Sequence, residues 1–282
     1  MRYCTVDLYE YFGLSRPDGG QGHLECYLHN PCAFINENRH RPAMIALPGG
    51  AYAYCSAREG EPIASQFFAA DYQAFVLTYS TAPVRFPAAL REAAMAVIYI
   101  RENAEALGVN KDEIGTVGFS AGGHLCASIA TLFEAEELSD LLSRGVSARP
   151  DAVLLGYPVI SYLQKPHRGS FENLCGEDEA LRCRLSLETQ VTERSVPAFI
   201  FHTVADAAVP VKNSLVFASA YEEKGVPFSM HLYECGVHGL ALGNHITDNL
   251  TQSNPPRSAD FETWMPMALH WLAERGFSPK QK

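Results

Sequence analysis

Apolar residues in this chain fall into short continuous runs, separated by stretches in which they recur every three or four positions. The runs at residues 43–47, 74–79, 114–119, 152–157, 198–202 and 228–233 are too short for helices and read as buried strands. Between them, residues 61–70 read as a helix, with Pro62 suited to its first turn. Residues 87–107 read as a longer one, with Leu90, Ala94, Val97, Ile98 and Arg101 along one stripe and Gly108 as its stop. Helical patterns return at 124–133, 211–224 and 261–275, and Pro266 inside the last predicts a kink or a split. Strands alternating with helices predict the α/β class: a mostly parallel central sheet of about eight strands with helices on both faces. Ahead of this series, residues 3–10 and 23–29 read as two antiparallel strands joined by a turn at Pro17-Asp18-Gly19-Gly20. No repeat is visible, and the long connection at residues 161–195 reads as a small cap inserted into a single domain spanning 1–282.

Composition narrows the setting. With 282 residues and 47% hydrophobic content, the chain can bury one large core. Lys plus Arg is 22 against 32 Asp plus Glu, a net charge of −10 that disfavours nucleic acid and anionic membrane surfaces as partners. The stretch from Met1 to Asp7 lacks the apolar core of an export signal, and no apolar run is long enough to span a bilayer. The eight cysteines (Cys4, Cys26, Cys32, Cys55, Cys126, Cys175, Cys183, Cys235) form no C-x-x-C pair, so they read as reduced thiols of a cytoplasmic protein. Disorder is expected only at residues 278–282. There is no compact metal-ligand spacing, P-loop or dinucleotide fingerprint, so no metal and no cofactor are expected.

The chemistry centres on Gly118-Phe119-Ser120-Ala121-Gly122, between the strand at 114–119 and the helical pattern that follows. These five letters arise by chance in roughly one chain in ten of this size, so their context carries the weight. A serine on a strand-to-helix turn is a nucleophile elbow, and its glycines let backbone segments approach closely. A serine hydroxyl needs a base in hydrogen-bond reach, and the base needs an orienting carboxylate. His238 follows the strand at 228–233 between Gly236 and Gly239, and Asp206 follows the strand at 198–202. Asp178 and Asp151 are rivals for the acid. The first falls in the connection 161–195 and the second precedes its strand, so Asp206 wins on position.

Developing negative charge needs preorganised N–H donors. Ala121, directly after the serine, should supply one, and Gly50 and Ala51 in the loop after residues 43–47 are candidates for the other. Tyr52, Tyr54, Tyr79, Tyr157, Pro158 and Val209 follow strands and so are candidates to line a pocket, Tyr52, Tyr54, Tyr157 and Val209 foremost. His167 to Phe171 is a candidate lid. Arg58, Glu59 and Glu61 read as a charged turn, His124 as a locally hydrogen-bonded residue, and Cys55 as the thiol nearest the proposed centre.

Taken together, Leu47-Pro48-Gly49-Gly50-Ala51-Tyr52, Arg58-Glu59-Gly60-Glu61-Pro62, Gly118 to Leu125, Gly156-Tyr157-Pro158, His202 to Pro210 and Val237 to Leu240 resemble the α/β-hydrolase esterases. The resemblance is closest to the bacterial branch of lipase-like esterases and carbohydrate acetyl- and feruloyl-esterases, and it runs from about residue 41 to the final helix. It implies an α/β-hydrolase fold, a triad on Ser120, Asp206 and His238, and hydrolysis of short-chain esters, with acylated saccharides as the substrate class. A small-molecule ester is then the expected partner, and a homo-oligomer is left open. One departure stands out: many relatives have a third glycine where this chain has Ala51. Two other readings stay open. One is a serine peptidase of the prolyl-oligopeptidase-like type, whose usual propeller domain has no room here. The other is a non-catalytic hydrolase-fold ligand-binding protein, a kind that typically lacks a triad member.

Overall fold

The computed structural model describes residues 1–31, 39–248, 260–278 and 280–281; Cys32 lies outside them. Its centre is a sheet in the order β1 (Arg2–Asp7), β2 (His23–Leu28), β4 (Gln73–Thr78), β3 (Arg39–Leu47), β5 (Val109–Phe119), β6 (Ala152–Gly156), β7 (Ala198–Thr203), β8 (Phe228–Tyr233). Strands β3, β4, β5, β6, β7 and β8 run parallel. At one edge β2 pairs antiparallel with β4, and β1 with β2. The mostly parallel sheet is the one the strand–helix alternation predicts, and its architecture is the α/β-hydrolase fold that the resemblance implied.

Residues along β3 divide between the two faces at a period of two. Ile45 and Leu47 pack with α3 (Ala88–Glu102), α5 (Ala121–Thr131) and α9 (Lys212–Glu223), whereas Met44 and Ala46 pack with α2 (Glu61–Ala69) and α10 (Trp264–Glu274). Helices therefore cover both faces.

Several local expectations are corrected. Residues 3–10 do not stay extended: the chain leaves β1 at Asp7 and turns into α1 (Leu8–Phe12). The Asp7 carboxylate accepts the Glu10 N–H, and Gly13 closes the helix in the left-handed region, so the strand-like pattern loses to strong caps. The 87–107 helix divides at Asn103 into α3 and α4 (Ala104–Leu107), and Gly108 ends it at φ 66 as expected. Strand β3 starts at Arg39, ahead of its apolar run, and the register with β5 slips around Pro42, which has no N–H to give a ladder. Pro266 falls in the first turn of α10, after a 3-10 turn at Phe261–Thr263, so the pattern splits there. At the end of the chain, where disorder was expected, Lys280–Gln281 pairs antiparallel with β3 as β9.

The long connection folds into α7 (Arg168–Cys175), α8 (Glu179–Arg184) and a 3-10 turn at Leu187–Gln190. Phe171 and Leu174 of α7 are buried against the body, and the Leu174 carbonyl accepts the Phe86 N–H. Because β3, β5, β6, β7 and β8 point the same way, the loops that leave them gather at one edge of the sheet.

Candidate active site

Ser120 stands at φ 52 and ψ −118, a conformation that costs a residue with a Cβ on the order of 1–3 kcal/mol. The turn is held by the Ser120 N–H donating to the Gly156 carbonyl at 3.0 Å. The two elbow glycines have no room for a side chain. A Cβ at Gly118 would lie 2.2 Å from the Gly122 carbonyl oxygen, and one at Gly122 only 2.1 Å from that of Leu47. Crowding of strand, loop and helix thus holds the serine in this strained backbone conformation.

The loops after β7 and β8 bring Asp206 and His238 to that hydroxyl. Gly236 and Gly239 adopt φ 135 and 78, and the Thr203 hydroxyl donates to the Gly236 carbonyl, tying the His238 loop to the end of β7. The His238 Nε2 is 2.8 Å from the Ser120 Oγ, and its Nδ1 is 2.6 Å from the Asp206 Oδ2. Asp206 is buried, and its Oδ1 accepts the N–H groups of Ala208 and Val209 at 2.9 Å each. Burial pushes this carboxyl up, but hydrogen bonds from His202 and His238 outweigh it and hold the group well below the usual carboxylate range. An ionised carboxylate can only accept, so the proton of His238 sits on Nδ1 and Nε2 is free to take the serine proton.

His202 was singled out only within the family-like stretch, yet it flanks the acid. Fully buried at the end of β7, it places Nε2 3.0 Å from the Val209 carbonyl and 3.4 Å from the Asp206 Oδ2, with Nδ1 2.8 Å from the Ser214 Oγ. The rivals are elsewhere. Asp151 pairs with Arg101, and Asp178 caps α8 by accepting the Leu181 N–H.

The loop after β3 takes an unusual path: Gly50, Ala51 and Tyr52 all have positive φ, at 127, 56 and 56. A Cβ at Gly50 would meet the Tyr54 carbonyl oxygen at 2.0 Å. Ala51 adopts the left-handed region despite its methyl group, and the Asn173 amide of α7 donates to its carbonyl at 2.9 Å. Among the described residues, the N–H groups of Gly50, Ala51 and Ala121 have no protein acceptor.

Most of the aromatic residues expected to line a pocket lie beneath it instead. Tyr52 is 2% exposed, with its hydroxyl 2.9 Å from the His124 Nδ1; Tyr79 donates to the Pro48 carbonyl; Tyr157 donates to Glu59. Val209 and Pro158 are buried too. Their loops fold back onto the sheet edge, where a buried phenol must find a partner. Tyr54, at 63% exposure, is the one member of that set at the surface. His124 is buried, with Nε2 2.9 Å from the Leu185 carbonyl, and burial pushes its imidazole down to about 4. Burial likewise pushes the Cys55 thiol up to about 12, which leaves it a poor nucleophile. His167 meets Ser170 on α7, and burial together with nearby His238 lowers its imidazole.

Glu59, read from the sequence as part of a charged turn, is 3% exposed and accepts both the Gly49 N–H and the Tyr157 hydroxyl. Its signal was faint: a carboxylate between Arg58 and Gly60 looks solvated until its partners are known. Among the described residues, no group of three or more His, Cys, Asp or Glu could hold a metal ion. No helix among them is long and apolar enough to cross a membrane.

The chain is similar to known proteins in both sequence and structure. The chain is 35% identical to an acetyl ester-xyloside bifunctional hydrolase from Caldicellulosiruptor lactoaceticus (TM-score 0.79), covering 91% of this chain and 89% of that one. It is 30% identical to a carboxylesterase from Lactobacillus plantarum at the same TM-score, covering 91% and 94%. An acetylxylan esterase of Xylanibacter ruminicola is 28% identical over 82% of this chain, and an endo-1,4-beta-xylanase B of Butyrivibrio fibrisolvens 37% over 78%. The chain spans 46% and 35% of those two curated proteins. The BD-FAE family model matches residues 34–221, a stretch that holds Ser120, Asp206 and the Gly49-Gly50 loop and stops short of His238. The chain belongs to the BD-FAE family.

Proposed function

We propose that this protein is a serine carboxylester hydrolase that removes short acyl groups from esterified saccharides. Ser120 attacks the ester carbonyl while His238 Nε2 takes its proton, and Asp206 stabilises the imidazolium. The N–H groups of Ala121 and of Gly50 or Ala51 receive the oxyanion. His238 then gives the proton to the departing sugar alkoxide. A water, deprotonated by the same imidazole, attacks the acyl-enzyme and releases the carboxylic acid and the free serine.

The observation that carries this reading is the unbroken chain from the Ser120 Oγ through His238 to Asp206, at 2.8 and 2.6 Å. The saccharide half rests on the relatives, two of which are named for acetyl esters of xylan or xylosides. Exposed Tyr54 offers a ring face to a sugar. The described cysteines are free thiols, in keeping with a cytoplasmic setting.

The test is hydrolysis of p-nitrophenyl acetate, its longer-chain homologues and acetylated xylo-oligosaccharides. Wild type should release acetate from both classes, with rates falling as the acyl chain lengthens. Ser120→Ala should lose at least about 10⁴-fold in kcat. Inactive wild type, an active Ser120→Ala, or cleavage of aminoacyl-nitroanilides without esters would overturn the proposal.

A further inference from the structure

We propose that Glu59 and Tyr157 are positioning residues: a buried carboxylate–phenol pair that locks the oxyanion loop and the His238 loop into one register. The inference rests on the serine-hydrolase reading and assigns a role to groups that this mechanism does not use directly.

The pair spans three loops. Glu59 Oε2 accepts the Gly49 N–H at 2.8 Å, and its Oε1 accepts the Tyr157 hydroxyl at 2.7 Å. The phenol oxygen in turn accepts the Ala241 N–H at 2.8 Å. One end of this chain is therefore the residue before the candidate donors Gly50 and Ala51. Its other end lies three residues past His238. Tyr157 also sets its ring against the base, with centroids 5.0 Å apart at 70°. Space around the pair is tight: a Cβ at Gly49 would lie 2.7 Å from Glu59 Oε2 and 3.0 Å from the Ser120 Cβ.

Energetics argue against a role in stability alone. Glu59 and Tyr157 are 3% and 1% exposed, and among the described residues no Lys or Arg forms an ion pair with Glu59. A buried carboxylate held by hydrogen bonds without an ion-pair partner is a costly way to fill space, and an apolar residue of similar volume would fill it at lower cost. Two of the anchoring residues are also in uncommon backbone conformations, Tyr157 at φ 35 and Ala241 at φ 54. Such strain persists where the surroundings over-determine it. Here the determinants are the groups that must place N–H donors and an imidazole around one reacting carbon. A misplacement of about 1 Å there costs up to 10²-fold in rate.

Two substitutions separate this from packing. Tyr157→Phe keeps the ring against His238 and deletes only the hydroxyl. Glu59→Gln keeps the shape and turns an amide N–H₂ toward one of two donors. Steady-state hydrolysis of p-nitrophenyl acetate should show kcat reduced about 10- to 100-fold in each, with KM within about threefold of wild type. Binding of a trifluoromethyl ketone, whose adduct with Ser120 carries the oxyanion, should weaken in proportion to the loss in kcat/KM. The double variant should be no worse than the worse single one, because both break the same linkage. Melting temperatures, taken alongside, give the folded fraction.

Wild-type kcat and ketone affinity in the folded single variants would overturn the assignment. So would losses that match the unfolded fraction alone, or that multiply in the double variant. If Glu59→Gln does not fold, Tyr157→Phe decides by the same criteria. Failure of the underlying reading has a different signature, namely inactive wild type or an active Ser120→Ala, and the inference then falls with it.

Discussion

Asp206 fixes the position of a proton. Its Oδ1 is spoken for by the Ala208 and Val209 N–H groups, so only Oδ2 faces His238 and His202. Asp206→Asn can keep the two backbone bonds through its carbonyl, but its N–H₂ then points at both imidazoles. The His238 Nδ1 must accept, the proton moves to Nε2, and the ring can no longer receive the serine proton. We expect kcat for acetyl esters to drop about 10⁴-fold in the folded protein, measured by steady-state kinetics with thermal unfolding giving the folded fraction. Chain order and loop position were enough to select Ser120, Asp206 and His238 as candidates, because each follows a readable strand. Glu59 was not readable in this way. Its hydroxyl partner is 98 residues away, and a carboxylate among polar neighbours carries no local mark of burial. The tyrosines misled for the converse reason: Tyr52 and Tyr157 follow strands as pocket residues would, but their hydroxyls are used up inside the protein.

Among the elements, the first turn of α5 crosses the end of β3 with no room for a side chain between them. Gly122 lies where a Cβ would be 2.1 Å from the Leu47 carbonyl oxygen and 2.3 Å from that of Pro48, both backbone atoms that cannot rotate away. Gly122→Ala should therefore push helix and strand apart, costing more than about 3 kcal/mol and displacing the neighbouring elbow. Denaturant unfolding would give the stability loss. A variant as stable and active as wild type would show that the crossing has slack. The central strands were legible because parallel strands covered on both faces are apolar throughout. Elements that depend on caps or on pairing were less so. Helix α1 hangs on the Asp7 and Gly13 caps, and the first residues of β3 are polar and held by neighbouring strands instead of an apolar pattern.

Over the whole molecule, His124 ties parts that are distant along the chain. From α5 it reaches the Tyr52 hydroxyl on the loop after β3 with one ring nitrogen and the Leu185 carbonyl, beyond α8, with the other. Phe171 of α7 packs edge-on against the same ring, with centroids 5.4 Å apart. The imidazole can accept from Tyr52 and donate to Leu185 only while neutral, and burial keeps it so down to about 4, against 6.5 for an exposed histidine. The sign follows from linkage. As pH falls below about 6.5 the unfolded chain takes up a proton that the folded chain refuses, so stability held above that pH is lost progressively down to about 4. The full loss is about 3 kcal/mol. In His124→Gln this component is absent, while the other acid-titrating groups are shared with wild type. The gap in melting temperature between wild type and the variant should therefore shift by roughly 5–10 °C between pH 7 and pH 4, in favour of the variant. Parallel pH dependences for the two proteins would mean that the ring is protonated, or solvated, in the folded state. The connection after β6 and the loop after β3 would then be joined by something other than this neutral imidazole.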